Sequence, residues 1–366
     1  MAWPGHWRVT ILRQAQYKGV LVATAPLVTA FALGPTVDII ERHAGWRTVE
    51  RAFRAASVPL SVIEERRVYI PYASEAALIE HAAREIGDAN LALHIGRAFP
   101  FGDLGVYGRY VVSAPTLLGA LSRALRGLRY ATNTGTFALD IGVREGRIAF
   151  SSGIEGQSGV NHIHVGTLLL IIDLIRRYAG PRWKPIRVEL AQVKGPDSGC
   201  VETLFDAPVA FGRTAPAVVF ELNLLYQPNQ KKVSACQQLT LADLRQMVQE
   251  KPRKDIKSVV KSVLELRVLD GVTDLDGTAE ILGFGSRTLQ RQLHSDGTTY
   301  RDIVDAVRRE RALALLSETT MKVSEMALVL GYSTSAHFIR AFHRWSGTTP
   351  AAYRLSLDNP PSAAVS

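Results

Sequence analysis

From residue 25 to about residue 100 the apolar positions recur every three or four residues. That spacing predicts helices over "TVDIIERHAGW", "TVERAFRAASV" and "SEAALIEHAAREIGDANLALHIGRAF". Between residues 101 and 228 two periods are mixed. "PTLLGALSRALRGLRYAT" and "HVGTLLLIIDLIRRYAG" keep the helical spacing. "TFALDIGVREGRIAFSSGI" alternates and predicts a hairpin with Arg144, Glu145 and Gly146 at its turn. "IRVELAQVK", "APVAFGR" and "AVVFEL" predict further short strands. Helices and antiparallel strands in blocks predict an α+β domain over residues 25–230, preceded by an N-terminal extension, residues 1–24. "YQPNQKKVSACQQ" is polar and aperiodic, so a linker is expected over 231–254, with one short helix, "LADLRQMVQE", that stops before Pro252. From Asp255 onward the pattern is helical almost to the end. It predicts an all-α C-terminal domain over 255–357 and a loose tail over 358–366.

The C-terminal region repeats itself. "AEILGFGSRTLQRQLHSDGTT", residues 279–299, resembles "ALVLGYSTSAHFIRAFHRWSGTT", residues 327–349. Ala279, Leu282 and Gly283 stand 48 positions before Ala327, Leu330 and Gly331. Ser286, Arg291 and His294 stand 49 before Ser335, Arg340 and His343, and Gly297, Thr298 and Thr299 stand 50 before Gly347, Thr348 and Thr349. Two one-residue insertions account for the drift.

Each copy has the pattern of a helix-turn-helix. A short helix ends at Leu-Gly, where glycine can take the left-handed conformation that stops a helix. Ser286 and Ser335 are expected to cap the next helix. That helix buries Leu289 and Leu293 in the first copy, Phe338 and Phe342 in the second, at i and i+4. Arg287, Gln290 and Arg291 are left outside in the first copy, and Ser335, His337, Arg340 and Arg344 in the second. Arg and Gln carry the forked donors that read guanine and adenine edges in the major groove. The second copy's outer helix has no acidic residue to repel phosphates. Between the copies, "YRDIVDAVRRERALALLSE", residues 300–318, is a continuous helical pattern. Nineteen residues of helix span roughly 29 Å, close to the ~34 Å of one turn of DNA. Two reading helices so spaced would enter successive major grooves of double-stranded DNA. Two-helix turns also occur in plain α-bundles; the duplication, the basic outer faces and the spacer together favour DNA.

Charge adds less than its size suggests. The formal net charge of +9 favours anionic partners, but residues 251–357 hold 16 Lys and Arg against 12 Asp and Glu, a net of +4, and the rest of the chain is as basic. The DNA reading therefore rests on placement. A length of 366 residues predicts two or three domains, and the nearly half apolar composition is enough for real cores. Cys200 and Cys236 have no second cysteine or histidine at ligand spacing, which fits free thiols in a reducing, cytoplasmic compartment. "GVLVATAPLVTAFALGPTV", residues 19–37, is uncharged and follows His6, Arg8, Arg13 and Lys18, in the manner of a signal peptide or a single span. Pro26 and Pro35 interrupt it, its side chains are small, and it runs straight into a helical pattern, so a place in the core and no membrane association are expected.

Catalytic and metal chemistry find little support. His162 and His164 in "NHIHVG" are two apart, but no Glu follows at the spacing a metal site needs before Asp173, so a polar loop entering a helix is expected and no metal. "GIEGQSG" is glycine-rich without the Lys-Ser/Thr of a phosphate loop. No GxSxG or HExxH occurs, so no enzyme and no cofactor is expected. Tyr107, Arg109 and Tyr110, with Tyr130, are candidates to line a small-molecule pocket, with half-buried packing as the alternative.

With those motifs in view, residues 255–354 resemble the DNA-binding module of the AraC/XylS family of bacterial transcription regulators. "VRRERALALL" is similar to that family's central helix. "VSEMALVLGYSTSAHFIRAFHRWSGTTPAAYR" is similar to its second-motif signature, including Gly331, Tyr332, Phe338, Phe342, Gly347, Pro350 and Tyr353. One departure is "DLDGTAEILG", where Gly277 and Thr278 replace good helix formers, so a weaker first helix is expected. Residues 25–230 resemble the arabinose-binding-like effector domain of one branch, through "VYGRYVVSAPTLLGALSRALRGLR" and through Phe205, Pro208, Val209, Phe211 and Pro228. The resemblance implies an N-terminal domain that binds a small-molecule effector, forms a homodimer, or both. It implies a C-terminal domain that binds DNA, RNA polymerase as a further partner, and activation as the commoner mode.

Overall fold

The computed structural model describes residues 9–13, 25–194, 198–231, 238–248 and 255–358. Half of the expected linker, residues 232–237 and 249–254, with Cys236, and the tail from residue 359 lie outside the described residues. By its contacts the chain divides into two units.

The first unit is α+β. Its strands in chain order are β1 (Val9–Arg13), β2 (Leu27–Thr29), β3 (Tyr69–Pro71), β4 (Thr136–Ile141), β5 (Glu145–Ser151), β6 (Arg187–Glu189), β7 (Val209–Ala210) and β8 (Ala217–Glu221). Six of them form one sheet in the order β1-β4-β5-β8-β6-β7, while β2 and β3 pair separately. The expected hairpin is β4 and β5, antiparallel, with Phe137 opposite Phe150 and Ile141 opposite Gly146. Glu145 and Gly146 thus belong to the second strand, and the turn falls at Gly142, Val143 and Arg144, two positions earlier than expected, closed by the Gly142 N–H donating to the Glu145 carbonyl at 2.9 Å. β1 lies within the presumed extension and forms an edge strand on β4.

Nine helices of this unit are described: α1 (Thr36–Ala44), α2 (Trp46–Ala55), α3 (Tyr72–Ile86), α4 (Leu91–Arg97), α5 (Gly105–Val112), α6 (Leu117–Gly127), α7 (Val160–Ala179), α8 (Ser198–Phe205) and α9 (Leu241–Met247). α7 packs on α3 and α4 and on strands β5 and β8. On β4 the burial alternates, with Phe137 and Leu139 in the core opposite Phe150 and Ile148, whereas β5 and β8 are buried along both faces. The described part of the apolar run near the N-terminus, residues 25–37, contributes to the core: Leu27, Ala30 and Leu33 are completely buried, and the rest of the run lies outside the described residues. Among the described residues no helix is long and apolar enough to cross a membrane.

The second unit is all-α, and residues 58–69 group with it by their contacts. It holds α10 (Ile256–Arg267), α11 (Leu275–Ile281), α12 (Ser286–Ser295), α13 (Tyr300–Glu318), α14 (Val323–Val329), α15 (Ser335–Ser346) and α16 (Pro350–Asp358). Helix α13 begins and ends where the pattern placed it. Thr299 caps it, accepting from the Asp302 N–H while the Asp302 carboxylate accepts from the Thr299 N–H, a reciprocal box that fixes the start.

Candidate nucleic-acid interface and effector cavity

Each sequence repeat is a helix-turn-helix. α11 and α12 form the first, α14 and α15 the second. Gly283 and Gly331 take φ of +72° and +73°, the left-handed stop expected of them. The caps differ from expectation. Gly285 and Thr334 are the N-cap residues, and Thr334 Oγ1 accepts from the His337 N–H at 3.3 Å. Ser286 and Ser335 stand one residue inside. Serine can serve at either place, and the extended backbone of Gly285 and Thr334 marks the boundary. The Ser286 hydroxyl instead donates to the Asp276 carboxylate.

The first helix of the first copy is short, seven residues, yet well anchored. Asp274 caps it by accepting from the Gly277 N–H at 2.7 Å. Arg267 pairs with Asp274 and fills the space a side chain at residue 277 would need. Thr278 is fully buried, its hydroxyl 2.8 Å from that of Tyr300. The departure from good helix formers is thus a packing solution.

The second copy has an aromatic core. Phe338 and Phe342 are fully buried with ring centroids 5.9 Å apart; Tyr332 and Tyr353 extend the stack at 5.6 and 5.7 Å. The Arg308 guanidinium on α13 lies 4.5 Å over the Tyr332 ring and donates to the Gly331 carbonyl at 2.9 Å and to Thr273 Oγ1 at 3.0 Å. One side chain of the connecting helix therefore holds both the turn of the second motif and the approach to the first.

Leu289 and Leu293 are fully buried on α12, and Arg287, Gln290 and Arg291 are exposed on its other side. On α15, His337, Arg340 and Arg344 are exposed and Ser335 is half-buried. These side chains are not equally free. Arg344 Nη2 pairs with Asp305 at 2.9 Å, and His337 Nδ1 lies 3.1 Å from Ser333 Oγ. No intramolecular hydrogen bond or ion pair holds the side chain of Arg287, Gln290, Arg291 or Arg340 among the described residues.

In the first unit, β2, β4, β5 and helices α1, α3, α4, α5 and α7 line a partly open cavity of about 80 Å³. Tyr107 lines it, with its hydroxyl donating to the Ala124 carbonyl at 3.1 Å. Arg109 is exposed, and neither it nor Tyr110 is a lining residue; the Arg123 guanidinium sits 5.0 Å over the Tyr110 ring. Tyr130 accepts from Arg245 at 3.2 Å. Sequence reasoning missed Thr36, Tyr72, Glu75 and His162 on the cavity wall. Burial pushes the Glu75 carboxyl up to about 8 and raises the Tyr72 and Tyr107 hydroxyls.

His162 and His164 lie in the first turns of α7, not in a loop. His162 Nε2 is 2.8 Å from Glu80 Oε2, while the buried His164 meets the edge of Phe150 with centroids 6.4 Å apart. Burial lowers the His164 pKa. Among the described residues no three His, Cys, Asp or Glu side chains cluster as a metal site would require.

Paired helix-turn-helix motifs with basic outer faces, beside an α+β unit with a partly open cavity, define a transcription regulator with a ligand-binding domain. Residues 47–229 match the arabinose-binding domain of AraC transcription regulators, and residues 278–356 match a helix-turn-helix domain. The chain belongs to the AraC family. It is similar to the ornithine utilization regulator of Pseudomonas aeruginosa, 26% identical over 338 residues that cover 90% of this chain and 97% of the relative. It is similar to the regulator VqsM of the same species, 28% identical, covering 72% and 83%. The solved structure of the regulator CdpR from Pseudomonas aeruginosa aligns with 85% of this chain and 97% of its own, at 22% identity and a TM-score of 0.40.

Proposed function

We propose that this chain reads one asymmetric operator with both motifs, through Arg287, Gln290 and Arg291 on α12 and Ser335, His337, Arg340 and Arg344 on α15. The observation that carries it is the matched pair of exposed helix faces, on which the Arg287, Gln290, Arg291 and Arg340 side chains have no intramolecular partner among the described residues. Both α12 and α15 would sit in major grooves, one helical turn apart, with the 19-residue α13 as the spacer. Residues 25–230 would form the sensing and homodimerisation domain and residues 255–357 the reading domain. Effector binding to one conformation of the sensor would shift DNA occupancy or contact with RNA polymerase. The protein acts in the cytoplasm and catalyses no reaction.

Selection of sites from random duplex DNA tests this, using the full-length protein at about 150 mM salt so that phosphate attraction does not mask preference. Two short conserved elements about ten base pairs apart are expected, the spacing of adjacent major grooves on one face. Enrichment of nothing by either the full chain or residues 251–366 would overturn the reading. On the selected site, Arg291→Ala and Arg340→Ala are each expected to cost about 1–3 kcal/mol and to flatten the base preference beneath that residue. Wild-type affinity in either variant would remove that residue from the reading surface.

A further inference from the structure

A helix between two motifs fixes how far apart they stand, but not the angle at which each is held. α13 is joined to α12 by residues 296–299 and to α14 by residues 319–322. A few loop residues are enough to act as a hinge. Something besides α13 must hold the angle if the two motifs are to read DNA as one body.

A second connection exists, and it bypasses both ends of α13. Helices α11 and α12 of the first motif pack on α10, and α10 packs on α13. α10 runs into a single 3-10 turn, Val268–Asp270, which lies against α14 of the second motif. Gly271 follows, and a Cβ on it would stand 3.2 Å from the Leu328 carbonyl oxygen and 3.5 Å from Gly331 Cα. Arg308, near the middle of α13, closes the ring. Its Nη2 donates to Thr273 Oγ1 at 3.0 Å on the first side and to the Gly331 carbonyl at 2.9 Å on the second. Its guanidinium also lies 4.5 Å over the ring of Tyr332. The Tyr300 hydroxyl, about two turns earlier on α13, is 3.2 Å from the Thr273 carbonyl, so the same loop is pinned to α13 twice. α13, the loop at residues 271–273 and the turn at residues 328–332 thus form a closed ring of contacts. An open chain of segments can hinge, whereas a closed ring must break a contact to do so.

What this ring controls is the distance and angle between α12 and α15. One base pair is about 3.4 Å of rise and about 35° of turn along DNA. The two Arg308 bonds, at 2.9 and 3.0 Å, are lost beyond about 3.5 Å, so the ring has far less slack than one base pair demands. We propose that Arg308 is a positioning residue for DNA reading: by closing the ring it sets the spacing between operator elements that the protein accepts. The proposal rests on reading α12 and α15 as the two DNA-reading helices. Arginine suits the task because one planar group both bonds two acceptors and stacks on Tyr332; lysine carries the same charge without the fork or the flat face.

The test is fluorescence anisotropy with the full-length wild type, Arg308→Lys and Thr273→Val, on duplexes built from the selected operator at about 150 mM salt. Four duplexes are compared: both elements at the selected spacing, both with one base pair inserted between them, and each element alone beside scrambled sequence. Thr273→Val removes one acceptor and leaves Arg308 in place. The wild type is expected to lose roughly tenfold or more on insertion, the scale of one lost hydrogen bond to a charged group. In Arg308→Lys that penalty should shrink to about threefold or less, while each single element keeps its affinity within about twofold. Thr273→Val should move the penalty the same way by less. A variant that merely folds less well would lower every affinity alike and leave the ratio between the two spacings unchanged. The proposal is overturned if that ratio stays at the wild-type value in both variants, if the wild type accepts the extra base pair, or if Arg308→Lys weakens single elements as much as the pair. Both elements preferred with an unchanged ratio would sink the spacing claim alone. No preference for either element over scrambled DNA would sink the DNA reading and the spacing claim with it.

Discussion

Gly331→Ala is expected to unfold or grossly weaken the second helix-turn-helix, while the same change at its repeat partner, Gly283→Ala, is tolerated. Both glycines have φ near +72°, so alanine at either place costs roughly 1–2 kcal/mol of backbone strain. Beyond that the two sites differ. A Cβ at Gly283 meets nothing within 4 Å. A Cβ at Gly331 would overlap the carbonyl of Gly271, inside the 3.0 Å that real Cβ atoms keep, and would crowd Arg308 Nη2 at 3.1 Å. The obstacle is backbone, which cannot rotate away. Gly271 is itself left-handed, at φ +68°, and has Gly331 Cα 3.5 Å from where its own Cβ would stand. The chain after α10 and the turn of the second motif thus approach backbone to backbone, and Arg308 bonds across the same place. Separating them loses that packing and the Arg308 bond to Gly331, so a total on the order of 3–5 kcal/mol is expected, in the range reserved for overpacking plus a special backbone conformation. Urea unfolding of the full-length variants, followed by circular dichroism, measures both. Equal losses at the two glycines would show that the Gly271 contact is not tight in solution.

That asymmetry bears on how much the sequence displayed. The repeat showed that Gly283 and Gly331 do the same local job, because ending a helix is a local matter. It could not show that only one of them touches another segment, because Gly271 lies 60 positions away. The bounds of α13 were legible since Thr299 and Asp302 form the cap within four residues. The strand at Val9–Arg13 was not, because an edge strand held by β4 needs no turn signal or apolar face of its own. The helix at Ser198–Phe205 was missed too, since eight residues opening with Ser-Gly-Cys are too few for a period to register.

The DNA-facing side chains were legible as a set, since burying i and i+4 positions leaves the remaining faces outside. Their differing freedom was not. Arg344 is tied to Asp305 on α13, 39 positions away, while Arg340 has no tether among the described residues. A fork already paired must exchange one partner for another on binding DNA, whereas a free one needs only to be ordered. The cavity wall was less visible still. Glu75 did leave a trace: it stands three and four positions before Leu78 and Ile79, on the buried side of α3, where a carboxylate has no structural reason to be. Read as one residue of an acidic and alanine-rich helix it passes for surface.

Glu75→Gln is expected to make the folded state more stable at pH 8 than the wild type, with little difference near pH 4.5. In the unfolded chain the carboxyl titrates near its ordinary 4.5, and in the folded state near 8. The folded state therefore holds a proton that the unfolded state has shed between those values. The sign follows: the favourable contribution is fully present below about pH 4.5, declines across the window and is gone above about pH 8. At about 1.4 kcal/mol per unit the window corresponds to roughly 3–5 kcal/mol, a large share of the ~5–15 kcal/mol that holds a folded protein together. Glutamine keeps the shape and hydrogen-bonding capacity and has no proton to lose. Thermal melts of the two proteins across pH 5–8.5 should diverge steadily, the wild type falling faster. Parallel curves would mean that Glu75 is solvated in solution. Divergence would mean that the domain keeps a costly group in its core, which selection on stability alone would have removed.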